Sequence, residues 1–228
     1  MAKAIRTKND EQREVVKRFR ALAYRHSPWT VWADFVTMAA CAISSAVDTT
    51  HKEHREKLYA DTAKKYTPEE LESFATMFAD VVNGLDENPD QDFLGELFMA
   101  LELSNPHKGQ FFTPYHLCQL MSKLTSSEDL QETIERDGWI SVNDCCCGAG
   151  ALLIAFANEC LQQKVNYQTS VLFVAQDIDF TAAMMCYIQL SLLGCPGYVI
   201  VGNSLTEPPT GYGDRGLFPP PGEHVWPT

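Results

Sequence analysis

A short apolar strand runs into a glycine-rich turn and from there into an apolar helix: Trp139 to Val142, then Asp144-Cys145-Cys146-Cys147-Gly148-Ala149-Gly150, then Ala151 to Ala157. A second apolar run, Val171 to Gln176, ends at Asp177, and a helical stretch from Thr181 to Leu193 follows it, stopped by Gly194 with Pro196 just beyond. Strands alternating with helices build parallel sheets, because parallel neighbours are joined through crossovers. The expected class is therefore α/β. In such sheets ligands lie beyond the carboxyl ends of the strands, where closely spaced glycines let the backbone approach them.

A second glycine-marked turn lies upstream, Gly109-Gln110-Phe111-Phe112-Thr113-Pro114. Thr113 reads as a helix N-cap with Pro114 at the first helical position, which leaves free N–H groups suited to an anionic group. A dinucleotide fold would need a third glycine after Gly148 and Gly150, but that position is Leu153, so close helix packing on a pyrophosphate is not provided for. Three consecutive cysteines cannot all face one ion, and there is no C-x-x-C pair elsewhere. His51 and His54 stand in a charged helical run without a third ligand, so no metal site is expected.

The run Asp144 to Gly150 is similar to the Asp-Pro-x-Cys-Gly-x-Gly turn of S-adenosylmethionine-dependent DNA methyltransferases that act on adenine N6, with Cys145 at the proline position. Gly109 to Pro114 resembles the upstream turn of the same family. The resemblance spans Asp92 to Leu205 and is nearest to the modification subunits of type I restriction systems and to short phage or mobile-element N6-adenine DNA methylases. It implies a partial Rossmann-like sheet of about three parallel strands behind an N-terminal helical domain, with S-adenosylmethionine as cofactor.

By the same resemblance, Asp144 pairs with the ammonium group of the cofactor, Gly148 and Gly150 bring backbone N–H groups toward it, and the turn from Cys147 to Gly150 contacts it. Free N–H groups at the helix start marked by Thr113 and Pro114 hold the methionine carboxylate, and the turn from Phe112 to Pro114 contacts the cofactor. Asp177 takes the two ribose hydroxyls, and Ile178 lies against the adenine. The run Val199 to Leu205 is similar to a third motif of the family, whose acidic residue receives the adenine amino group; here Asn203 stands there, and its carbonyl oxygen accepts the same hydrogen bond.

The catalytic motif of the family, Asn or Asp followed by Pro-Pro and an aromatic, does not occur. That loop would hold and stack a flipped-out adenine. Glu207-Pro208-Pro209-Thr210 and Phe218-Pro219-Pro220-Pro221 read instead as proline-rich coil, and only 26 residues follow Gly202, too few for the rest of a complete methyltransferase sheet. No catalytic residue is assigned. The expectation is a cofactor-binding protein inactive by itself. Two alternatives stand beside it: a non-catalytic cofactor-sensing or protein-interaction module of a phage or mobile element, and a truncated or split active DNA adenine methyltransferase.

Residues 1–88 read as a helical domain, 89–205 as the methyltransferase-like domain and 206–228 as a proline-rich tail. Helices are expected over Asp10 to Tyr24, Trp29 to Ala46, His51 to Lys65, from the capping box Thr67-Pro68-Glu69-Glu70 to Asn83 with a stop at Gly84, and at Gln91 to Leu103, Pro114 to Leu124 and Glu128 to Arg136. Asp86 to Pro89 is a linker candidate. No apolar run looks long enough to cross a membrane, and eight cysteines without a disulfide framework fit a reducing cytoplasm.

A net charge of −12 opposes strong binding to DNA by this chain alone. Residues 1–25 nonetheless carry eight Lys or Arg against three Asp or Glu, and Arg13, Lys17 and Arg20 share one helical face, which either meets phosphate or is simply solvated. If the sheet stops after its first half, the edge at Ile140 to Asn143 needs a cover, either the tail or another subunit, most simply a second copy.

Overall fold

The computed structural model describes residues 7–103, 112–126, 130–208 and 222–228. The chain opens with four helices, α1 (Asp10–Leu22), α2 (Pro28–Val47), α3 (Lys52–Ala63) and α4 (Pro68–Glu87). Their starts follow local chemistry. Asn9 and Ser27 accept from Gln12 N and Thr30 N, and Thr67 and Glu70 form a complete capping box. Gly84 does not end α4, which continues to Glu87. A Cβ at Gly84 would lie 2.3 Å from the Phe93 ring, so the glycine marks a close approach of backbone to an aromatic. The supposed linker is also pinned, since Gln91 Nε2 donates to Gly84 O at 2.7 Å and Asn88 O at 2.8 Å.

The expectation about membrane-length runs is corrected by α2, whose 20 residues are long and apolar enough to cross a membrane by length and composition. Here α2 packs against α1, α3 and a later helix, burying Val31, Trp32, Phe35 and Val36. A helix with neighbours on several sides is apolar nearly all round for that reason.

Beyond it come α5 (Phe93–Ala100), α6 (Tyr115–Thr125), α7 (Leu130–Asp137), β1 (Ile140–Asp144), α8 (Ala151–Gln162), α9 (Tyr167–Ser170), β2 (Val171–Asp177), α10 (Phe180–Leu192), β3 (Gly197–Val201) and β4 (Val225–Pro227). Residues 104–111 and 127–129, which hold the start of the upstream turn and part of the expected helix at Glu128, lie outside the described residues. Among the described residues the sheet order is β1-β2-β3-β4; the first three strands are parallel and β4 runs antiparallel to β3. Side chains alternate between the two faces. Phe173, Ala175, Val199 and Trp226 join a core cluster that also takes in α1, α2, α4, α5, α8 and α10, whereas Val174, Tyr198, Ile200 and Val225 form a second cluster.

β4 adds a strand that the tail was not expected to hold, while the two proline-rich runs read as coil fall largely within residues 209–221, outside the described residues. Arg55 of α3 stacks over Trp226 at 3.4 Å and donates from Nη1 to Glu223 O (2.9 Å) and from Nη2 to Val225 O (3.1 Å), fixing the strand from a distant helix. The tail strand therefore covers the edge at β3, not the edge at β1. The outer side of β1 pairs with no described strand.

Candidate functional site

The turn between β1 and α8 is built from hydrogen bonds within the chain. Cys146 N donates to Asp144 Oδ1 (3.2 Å), Cys147 N to Gln176 O (3.0 Å), Gly148 N to Asp177 Oδ2 (2.8 Å) and Gly150 N to Cys147 O (2.8 Å). Gly148 and Gly150 have φ of +55° and +94°, a region L side chains rarely adopt. A Cβ on Gly148 would sit 3.2 Å from the Phe112 ring, and one on Gly150 would sit 2.9 Å from Cys186 Sγ. The expectation that both glycines aim their N–H groups at a ligand is thereby corrected: both amides are engaged inside the chain, and that of Gly148 orients an acid.

That acid is Asp177, whose Oδ1 also accepts from Asp179 N at 2.9 Å. These backbone donors do not exhaust the lone pairs of the carboxylate, which can accept from further donors. Burial raises the pKa of Asp177, and burial together with the neighbouring Asp177 charge raises that of Asp144. Burial and a contact with Cys186 also push the Cys147 thiol well above its ordinary value, with the contact the larger cause, so this cysteine stays a thiol.

The upstream turn differs in one respect from its sequence reading. Pro114, not Thr113, is the N-cap of α6: its ψ of 135° is extended, no side chain caps the helix, and the first helical residue is Tyr115. Tyr115 OH donates to Asp90 Oδ1 at 2.6 Å and Gln119 Nε2 donates to the same carboxylate, holding the start of α6. The Phe112 ring stacks on Phe98 with centroids 5.3 Å apart.

Phe112, Thr113, Asp144, Cys147 and Gly148 come together around a cleft of 210 Å³. Pro114 lines an adjoining cavity of 340 Å³ that shares Phe112 and Thr113 with the cleft. Gly150 is buried beneath the turn and Asp177 is linked to it through Gly148. Ile178 and Leu205 are 71% and 91% exposed, and neither they nor Asn203 line the cleft. The Asn203 side-chain oxygen accepts from Leu205 N at 3.0 Å, so it shapes its own turn.

Two residues of this region escaped the sequence reading. Asp92, 2% exposed, lines both cavities and caps α5, its Oδ1 accepting from Gly95 N (3.0 Å) and Gln189 Nε2 (2.9 Å). Gln189 Nε2 also donates to Ala149 O (2.8 Å), and its Oε1 accepts from Leu94 N (3.0 Å), so one buried amide couples the glycine turn to α5. Burial pushes the Asp92 carboxyl up to about 6. The spacing Asp92-x-x-Gly95 before an apolar run was the available signal, since it is an N-cap pattern.

On α1, Arg13 pairs with Asp10 (2.8 Å) and Lys17 with Glu14 (3.2 Å), each with a carboxylate on its own helix. His51 pairs with Asp48 at 2.8 Å and His54 with Glu223 at 3.1 Å.

No individual curated protein matches the chain. The sequence model of the N-6 DNA methylase family does match, over residues 92–215, a span that begins at Asp92 and includes both turns, all three parallel strands and every site residue named above from Phe112 to Leu205. The chain belongs to the N-6 DNA methylase family, whose chemistry is methyl transfer to DNA.

Proposed function

We propose that this chain binds one S-adenosylmethionine between the Phe112–Pro114 turn and the Asp144–Gly150 turn, on a Rossmann-like half sheet, and that alone it does not transfer the methyl group. The observation that carries this reading is the bond from Gly148 N to Asp177 Oδ2, which places an acid with free lone pairs beside a glycine turn at adjoining parallel strand ends. Asp177 would accept the ribose hydroxyls and Asp144 the ammonium group. The exposed Ile178 and Leu205 offer apolar surface for the adenine, near Asn203. Segment 89–205 is the cofactor-binding unit, 1–88 its helical support and 206–228 the tail, whose strand β4 closes the β3 edge.

Methyl transfer needs a group that holds and stacks the extruded adenine. The sequence has no Asn- or Asp-Pro-Pro-aromatic run to do so, and its net charge of −12 makes DNA binding by the chain alone weak. Incubation with labelled cofactor and mixed-sequence duplex should give no methylated adenine above a blank without protein. Methylation abolished by Asp144→Ala would overturn this part of the reading.

A second reading is a split enzyme of a restriction-modification system, phage-borne and cytoplasmic, in which a partner or second copy supplies the base-binding loop. The observation that favours it is the outer side of β1, paired with no described strand. Restoration of transfer by a co-expressed protein carrying an Asn-Pro-Pro-Phe run tests it. If no such protein restores activity, a cofactor-sensing module becomes the better description.

A further inference from the structure

Two carboxylates, Asp92 and Asp144, line the 210 Å³ cleft, and no Lys, Arg or His stands among its described lining residues. Asp92 is buried, its Oδ1 is held by Gly95 N and Gln189 Nε2, and no described residue donates to its Oδ2. Lys8, a cation close by in the adjoining cavity, is paired with Glu96. With no ion-pair partner among the described residues, a buried carboxylate such as Asp92 is held at a penalty that an entering cation relieves.

We infer that this cleft selects its ligand by positive charge, with Asp92 as the selecting residue, so that the sulfonium cofactor binds more tightly than the thioether left after methyl loss. The inference rests on the cofactor reading above and adds a specificity to it. S-Adenosylmethionine carries a sulfonium and an ammonium against one carboxylate, net +1. S-Adenosylhomocysteine differs by one methyl group and the sulfonium charge, net zero. Shape barely separates the two, whereas a charge facing two carboxylates of low solvent exposure does. The product would then leave readily.

The test is calorimetry of the full chain with each compound at pH 8, in the wild type and in Asp92→Asn. The amide keeps an oxygen for Gly95 N and Gln189 Nε2 and removes only the charge. The wild type should bind S-adenosylmethionine at least about tenfold more tightly than S-adenosylhomocysteine, and the variant should compress that preference to about threefold or less, chiefly by weakening the cofactor. Asp144→Asn should narrow the preference as well, and 5′-methylthioadenosine, which lacks both charges of the amino-acid portion and the sulfonium, should bind wild type and Asp92→Asn alike. A wild type that binds both compounds but prefers the thioether, or a variant that keeps the full preference, overturns the charge selection and leaves the cofactor site standing. A wild type that binds neither compound overturns the cofactor reading itself.

Discussion

Gly148 donates its backbone N–H to Asp177 Oδ2 across 2.8 Å, so the turn after β1 is locked to the end of β2 by one charge-assisted bond. Asp177→Ala should remove both that bond and the carboxylate proposed to accept the ribose hydroxyls. Losing one such acceptor costs about 1.5–3 kcal/mol, so calorimetry should show S-adenosylmethionine binding weakened roughly tenfold to a hundredfold. Unchanged affinity would show that Asp177 serves only the turn.

Gly150→Ala tests the turn without touching a ligand group. The new methyl group would meet Cys186 Sγ at 2.9 Å, and the φ of +94° is itself unfavourable to alanine. A loss of about 1–3 kcal/mol is expected in denaturant unfolding. Wild-type stability in this variant would mean that the backbone relaxes freely there.

Asp92 should make stability depend on pH in a direction opposite to that of a salt-bridged acid. Its folded pKa is raised to about 6 by burial, against 3.8 for an unperturbed carboxyl, so between those values the folded state holds the proton that the unfolded chain has released. Stability therefore falls as pH rises from about 4 to about 6 and is flat above, an effect of order 3 kcal/mol for two pH units at a fully buried site. Burial raises Asp144 and Asp177 in the same direction. Asp92→Asn should flatten this part of the profile and be at least as stable as the wild type at pH 7; urea titrations across pH decide it.

Arg55→Leu should release the tail strand. It removes two hydrogen bonds from a buried guanidinium and its stacking on Trp226, changes worth about 3 kcal/mol or more together. The reporter is the Val201 amide, which donates to His224 O at 2.9 Å. Its hydrogen exchange should accelerate while the β1–β2 pairing stays protected.

The parts of the fold legible in the sequence are those whose causes are local. The capping box at Thr67 and Glu70, the alternation of strands and helices, and the glycine turn before Ala151 each depend on residues a few positions apart. What escaped depends on distant partners. β4 is a three-residue strand held by Arg55, 170 positions before Val225, and Asp92 acquires its role through Gln189, 97 positions away. Gly84 looked like a helix stop because its reason for being glycine is the Phe93 ring. Of the candidate site, the two turns were legible as a pair, but the internal use of the Gly148 and Gly150 amides was not, since their acceptors depend on how the turn folds against β2.

Whether the cleft between the two turns is a cofactor site is decided by titrating the purified chain with S-adenosylmethionine in a calorimeter. Saturable binding with one ligand per chain is expected. Absence of saturable heat at millimolar ligand, with the protein shown to be folded by its melting transition, would contradict it.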